Sequence, residues 1–180
     1  LFTWDSVYGR YPGEVKVEGE NMVIDGLKIA ITGQKDPKLI LWETYGTEVV
    51  IESTGVFLKT EEIQSHLRGS VQKVVLASPP KDETIPMFII GVNEDKLGDE
   101  KIISCASCTT NCLAPVVKVM EKNFGIKKAV MSTIHAYTAD QELLDGSHQD
   151  LRRARSAALN IVPTTTGAAK SVGKIIEGVA

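Results

Sequence analysis

Between Glu14 and Ile31 the chain alternates apolar and polar residues in short runs. Val15-Lys16-Val17 and Met22-Val23-Ile24 flank a Gly19-Glu20-Asn21 break, and Asp25-Gly26 precedes Leu27-Lys28-Ile29-Ala30-Ile31. Asp-Gly between two such runs is a hairpin signal, because both residues tolerate the positive φ of the favoured turns. This section is expected to be antiparallel. The pattern then changes: Glu48 to Glu52, Val71 to Ala77, Met87 to Ile90 and Ile102-Ile103 are compact apolar runs. Parallel strands covered on both faces have this signature. Between the first two, Thr60 to Arg68 reads as a helix, with Thr60 as N-cap, Glu61 and Glu62 in its first turn and Gly69 as its stop. A β-α-β unit is the expected result.

Past Ser104 the period lengthens. Leu113, Val116, Val117, Met120 and Phe124 fall on one helical stripe, with Pro115 in the first turn or at a kink. Lys128 to Ala136 reads as the next strand. Tyr137 to Asn160 is long, polar and aperiodic, a kind of loop that is functional or disordered. A final helix is expected over Ala168 to Val179. The chain opens on Leu1-Phe2-Thr3-Trp4 with no initiator Met or leader and closes inside that helix, which marks it as an expected piece of a longer protein.

Composition narrows the function classes. The 180 residues are 43% hydrophobic and 24% charged with a formal charge of -3, the balance of an ordinary globular chain. That charge argues against nucleic acid or a membrane surface as the partner, and no apolar run approaches the ~18 to 20 residues of a membrane span. The three cysteines, Cys105, Cys108 and Cys112, are too few and too clustered for a secreted disulfide framework. A reducing interior is expected, the cytoplasm or else a plastid. Their C-x2-C-x3-C spacing lacks the fourth ligand of a metal or cluster site and runs into the apolar stripe, so no metal is expected.

Cys108 lies between a strand end and a helix start. There a thiol meets unpaired backbone N–H groups and the positive end of the helix dipole, and both favour the nucleophilic thiolate. Cys112, one turn further in, reads as a buried core residue, and Cys105 as intermediate. Of the three histidines, His66 reads as a surface residue of its helix and His148 as a solvated or interfacial residue of the polar loop. His135 differs, because a strand-helix-strand path carries it to the same edge as Cys108, beyond the strand ends where α/β proteins bind ligands. Pro163-Thr164-Thr165-Thr166-Gly167-Ala168-Ala169-Lys170 offers hydroxyls and N–H groups to a phosphate, or simply caps a helix with Thr. Arg152, Arg153 and Arg155 suit a phosphate, a subunit contact or plain solvation.

These segments together, Ala-Ser-Cys-Thr-Thr-Asn-Cys-Leu-Ala-Pro (106–115), Ile-His-Ala-Tyr-Thr-Ala-Asp-Gln (134–141) and Pro-Thr-Thr-Thr-Gly-Ala-Ala-Lys (163–170), resemble phosphorylating glyceraldehyde-3-phosphate dehydrogenase. The likeness extends in order over Asp5 to Val15, Glu52 to Phe57, Pro86 to Leu97 and Asp150 to Pro163. It implies an α/β chain: the C-terminal part of a Rossmann-like dinucleotide-binding domain over residues 1–107, then the start of an α+β catalytic domain over 108–180. The stretch from about 137 to 160 resembles that family's S-shaped loop, which packs at a subunit interface, and a homotetramer is implied.

By the same likeness Cys108 is the nucleophile and His135 its base and proton donor. Ser107, Thr109, Thr138, Thr166 and Gly167 hold substrate phosphate and inorganic phosphate, while Thr54, Gly55, Phe57 and Ser78 line the NAD site. Ser147 stands where strictly NAD-dependent members carry Pro; it either meets the 2'-phosphate of NADP across the interface or is only a turn residue. Two departures stand out: Cys105 occupies a position where the family has Asn, and Ala77-Ser78-Pro79-Pro80 replaces its Ser-Ala-Pro. The Gly-rich pyrophosphate turn is absent, so the chain alone is expected to be inactive. Two rivals use the same pair: erythrose-4-phosphate dehydrogenase, which passes the thioester to water, and a Cys-His acyl hydrolase or transferase.

Overall fold

The computed structural model describes residues 2–179 and shows a mixed α/β chain in which each sheet keeps to one direction of pairing. A ribbon of β1 (Trp4–Asp5) and β2 (Gly9–Arg10) leads into an antiparallel meander of β3 (Val15–Glu18), β4 (Asn21–Ile24) and β5 (Leu27–Ala30). The Asp25-Gly26 hairpin forms as expected, with φ of 49° and 83°. The Asp25 carboxylate also accepts from the Tyr11 hydroxyl and the Glu14 N–H, each at 2.7 Å, which ties ribbon to meander.

A parallel sheet of β6 (Val49–Glu52), β7 (Lys73–Leu76) and β8 (Ile102–Ser104) follows, with Val50 beside Val74 and Val74 beside Ile102. The crossover from β6 to β7 is α1 (Thr60–Ile63) continued by a 3-10 turn over Gln64–His66. The expected β-α-β unit is present, but its helix is one turn long and its cap is Lys59, not Thr60. Thr60 instead donates its N–H and hydroxyl to Asp82, at 2.7 and 2.8 Å. The stop comes before the expected Gly69: the 3-10 turn ends at His66 with Leu67 as its cap, and Gly69, at φ 57°, turns the chain beyond it. Met87 to Ile90 is not a strand. Met87 makes a single parallel bridge to Ser104, and Asn93 then bends the chain by accepting the Ile89 N–H and donating to the Met87 carbonyl, both at 2.9 Å.

Val50, Ile63, Val71, Val74, Leu76 and Ile85 close one core beneath the parallel sheet. A second forms where α2 (Cys108–Phe124) meets α3 (Ala168–Ile175): Ala114, Val172 and Ile175 pack with Ile89, Val92 and Ala106. This contact shifts the buried face of α2. Leu113 and Val117 pack against the core, but Val116, Met120 and Phe124 of the expected stripe point outward, and Pro115 lies inside the helix. Cys112 and Cys105 are exposed, contrary to the core reading of the first. α3 ends at Ile175, short of Val179.

Lys128 to Ala136 does not form the expected strand, since no segment among the described residues pairs with it; Val130 and Ile134 are 96% and 103% exposed. The stretch from 137 to 160 is irregular as expected, with 3-10 turns over Leu151–Ala154 and Ala157–Leu159. Ser156 anchors it, donating its N–H to Asp145 at 3.0 Å and its hydroxyl to the Leu143 carbonyl at 2.8 Å.

Candidate active site

The chain leaves β8 through Cys105 and turns sharply into α2. Ala106 makes the turn with φ 58°, a left-handed conformation that costs an L-residue about 1–2 kcal/mol. Four hydrogen bonds hold it there. The Ala106 N–H donates to the hydroxyl of buried Ser104 at 2.9 Å, and that hydroxyl donates to the Ser78 carbonyl at 2.7 Å. The Asn111 side-chain amide spans the turn, donating to the carbonyls of Cys105 and Ser107 at 2.7 and 2.9 Å. Ser107 is the N-cap: its hydroxyl oxygen accepts the Thr110 N–H at 3.0 Å. Cys108 is thereby set on the first helical residue, exposed, at the positive end of the dipole.

His135 reaches back to it. Its Nε2 lies 3.3 Å from Cys108 Sγ, and its Nδ1–H donates to the Ala136 carbonyl at 2.6 Å, which turns Nε2 toward the sulfur. The hydrogen bond from His135 lowers the thiol below its ordinary range against a smaller opposing effect of burial, with help from the Thr109 N–H and the charge of the ring. The imidazole is raised, first by the Ala136 carbonyl and then by Cys108. Opposite shifts on hydrogen-bonded partners favour the thiolate on sulfur and the protonated ring on nitrogen.

The pair opens on a cavity of about 480 Å³ whose wall includes Ser107, Thr109, Thr138, Thr166 and Gly167. All the residues expected at a phosphate site therefore converge. Thr166 Oγ1 accepts the Ala168 N–H at 3.2 Å from the residue before the cap, and the N-cap of α3 is Gly167, not a Thr. The sequence left the three arginines open, and the structure separates them. Arg153 stands in the cavity wall, paired with Asp140, whereas Arg152 pairs with Asp150 at 2.7 Å and Arg155 with Asp145 at 3.0 Å outside it.

The remaining residues lie elsewhere. Thr54, Gly55 and Phe57 follow β6 and Ser78 follows β7, on the carboxyl edge of the parallel sheet, next to the cavity through Pro79 but not lining it. Phe57 is half-buried against the core. Ser147 is exposed in the irregular segment, away from the cavity wall. His148 is half-buried and closed on itself, accepting the Asp150 N–H at 2.9 Å, so it is not a free, solvated ring. His66 is buried, at 5% exposure, because the 3-10 turn that ends α1 swings it inward to Glu52. Among the described residues no group of three or more His, Cys, Asp or Glu side chains gathers into a metal site, and no helix is long and apolar enough to cross a membrane.

A thiol on the first residue of a helix, an imidazole in contact with it and a hydroxyl-lined cavity beside the carboxyl edge of a parallel sheet define an α/β protein equipped for thiolate chemistry. Comparison with known families makes this particular. The C-terminal domain of glyceraldehyde 3-phosphate dehydrogenase matches residues 107–180, and the NAD binding domain of the same enzyme matches residues 1–60. The chain is 51% identical over 177 residues to glyceraldehyde-3-phosphate dehydrogenase 1 of Kluyveromyces lactis, covering 98% of this chain and 53% of that protein. It is 50% identical over 182 residues to glyceraldehyde-3-phosphate dehydrogenase of Wickerhamomyces ciferrii (100% and 54%), and 49% identical over 177 residues to that of Atlantibacter hermannii (98% and 60%). The chain belongs to the glyceraldehyde-3-phosphate dehydrogenase family, and it spans about half the length of the curated relatives it matches.

Proposed function

We propose that this chain carries the nucleophile and the base of a phosphorylating glyceraldehyde-3-phosphate dehydrogenase, an oxidoreductase that converts glyceraldehyde 3-phosphate and inorganic phosphate to 1,3-bisphosphoglycerate. The observation that carries the reading is the 3.3 Å contact between Cys108 Sγ and His135 Nε2, with the thiol lowered and the ring raised. Residues 1–107 serve as part of the dinucleotide-binding domain and 108–180 as part of the catalytic domain. The irregular segment of about 137–160 serves as an interface loop of a homotetramer in the cytoplasm.

The carboxyl edge of the sheet suits a dinucleotide. Gly55 has φ 73° and open space where a Cβ would stand, so backbone can be approached closely there. Thr54, Gly55, Phe57 and Ser78 would hold NAD, and the bound cofactor supplies a hydride acceptor. The chain's own residues do the rest. Cys108 thiolate adds to the aldehyde carbon, forming the C–S bond of a hemithioacetal. The N–H groups that open α2 face the developing oxyanion. His135 Nε2 gives its proton to that oxyanion, making the hydroxyl, and takes it back as the carbon is oxidised, which leaves a thioester on Cys108. Inorganic phosphate attacks that carbonyl, the C–S bond breaks, and Cys108 departs as a thiolate. The hydroxyls of Ser107, Thr109, Thr138 and Thr166, the N–H of Gly167 and the Arg153 guanidinium receive the anions.

The test is reduced-cofactor absorbance at 340 nm in the full-length protein, with glyceraldehyde 3-phosphate, NAD and phosphate. Cys108→Ala is expected to abolish turnover and His135→Asn to lower it by about 10²–10⁴-fold. Turnover that survives Cys108→Ala would refute the reading. A rate indifferent to phosphate points to transfer to water, as in erythrose-4-phosphate dehydrogenase, and acyl transfer without reduced cofactor points to a hydrolase. If Ser147 meets a 2'-phosphate, Ser147→Pro lowers turnover with NADP relative to NAD.

A further inference from the structure

Glu52 and His66 take no part in that chemistry, yet among the described residues they are the only titratable side chains that are buried, at 3% and 5% exposure. A carboxylate removed from water needs donors. Glu52 has them, divided between its two oxygens. Oε2 faces His66 Nε2 at 3.1 Å, while Oε1 takes the Thr54 N–H at 2.7 Å and also the Thr54 hydroxyl. The imidazole is wedged between the ring of Trp42, 5.8 Å away, and the edge of Phe57, 6.1 Å away, and its Nδ1 is buried without a partner. A ring so placed turns an N–H at Nε2 toward the carboxylate and leaves only a lone pair unmet.

Thr54 carries this arrangement to the surface. Its hydroxyl is spent twice, donating inward to Glu52 and accepting the Val56 N–H at 3.1 Å, so the side chain has no donor left for a ligand. What the turn presents outward is backbone, at Gly55, on the carboxyl edge of β6. The shape of that backbone is set from beneath, by the carboxylate.

We propose that the Glu52–His66 pair is a positioning element for the cofactor: it clamps the Thr54-Gly55 turn in the form in which its backbone meets the dinucleotide. The inference rests on the reading of that turn as part of the NAD site. An apolar residue at position 66 leaves one carboxylate oxygen buried and unpaired. Glu52 then turns toward other donors and releases Thr54.

The experiment measures the dissociation constant of NAD by calorimetry, together with KM for NAD and kcat, in the full-length protein. His66→Leu is expected to weaken NAD binding and raise KM about tenfold, the effect of losing one hydrogen bond to a charged group, with kcat at saturating NAD within about twofold of the wild type. His66→Gln restores an amide N–H at the reach of Nε2 and returns both constants to within about threefold. Should His66→Leu not fold, His66→Asn stands in, because its shorter amide cannot reach Oε2. Thr54→Val tests the turn itself, by removing the hydroxyl that donates to Glu52 and accepts the Val56 N–H while leaving His66 in place. If Thr54→Val leaves NAD affinity unchanged, the turn is not at the cofactor and the underlying reading falls with the inference. If Thr54→Val weakens NAD while the position-66 variants bind like the wild type, the inference alone is overturned. It is also overturned if Gln is as damaging as Leu, or if kcat falls as far as KM rises.

Discussion

Replacing His135 by Asn removes the main influence that lowers the Cys108 thiol, and the consequence can be read as a rate. A cysteine of ordinary pKa, about 8.5, is about 0.3% ionised at pH 6, so full ionisation can raise its reactivity at most about 300-fold. A thiolate of lower pKa is also a weaker nucleophile, with a Brønsted coefficient of about 0.4–0.5, which removes about half of that gain on a logarithmic scale. The wild-type protein should therefore react with iodoacetamide at pH 6 faster than His135→Asn, by up to about tenfold. Near pH 9.5 both thiols are ionised and the intrinsically stronger nucleophile is the unperturbed one, so the ratio should fall to one or below. Cys105 and Cys112 are also exposed, so the comparison is made with both replaced by Ser. A ratio that stays constant from pH 6 to 9.5 would show that His135 governs access to the sulfur and not its ionisation, and the ion-pair argument would fail.

Other outcomes follow from the same contacts. Ser104→Ala leaves the Ala106 N–H and the Ser78 carbonyl without their partner in a buried turn, and should cost about 1–3 kcal/mol of stability in a urea titration. Ser107→Ala removes the N-cap of α2 and should cost about 1 kcal/mol by the same measurement. The Asp82 carboxyl is held far below the usual carboxylate range, first by the Thr84 hydroxyl and then by the N–H and hydroxyl of Thr60. A carboxyl lowered in the folded state contributes its stability in full above about pH 4 and loses it as the pH falls further. The drop in Tm on acidification below pH 4 should therefore be smaller in Asp82→Asn than in the wild type, and equal slopes would show that the network contributes nothing. Arg153→Ala removes the guanidinium from the cavity wall and should raise the phosphate concentration needed for half-maximal turnover, with KM for NAD unchanged.

What the sequence disclosed is what local rules determine. Asp25-Gly26 needs only its own two residues to make a hairpin, and Ser107-Cys108 needs only a cap and the helix behind it. His66 departs from the surface place its helix predicts because that helix lasts one turn; the change to 3-10 winding rotates the ring into the core. The signal for it lay in the partner. Alternation along β6 puts Glu52 on the same inward face as Val50, and a carboxylate there requires a buried donor. Arg153 carried no such sign, because an aperiodic loop gives a side chain no face to belong to. The outward turn of Val116, Met120 and Phe124 follows from where α3 docks, a tertiary choice that no stripe on α2 alone can specify.

The two members of the pair are held unequally. Cys108 is fixed by a dense local device: a left-handed Ala106, the buried Ser104 hydroxyl, the Asn111 clamp and the Ser107 cap, all within residues 104–111. His135 rides on a segment with no ladder of its own, oriented by the bond from its Nδ1 to the carbonyl of the next residue and by the sulfur itself. The thiolate thus has support from the backbone N–H of Thr109 even when the imidazole is away, while the imidazole owes its raised proton affinity first to the Ala136 carbonyl and then to the sulfur. Stiffening 128–136 should therefore strengthen the pair through His135 and leave the position of the sulfur unchanged. Conversely, alkylating Cys108 removes the negative charge that faces the ring, and the His135 titration followed by NMR should then move down toward that of a free imidazole.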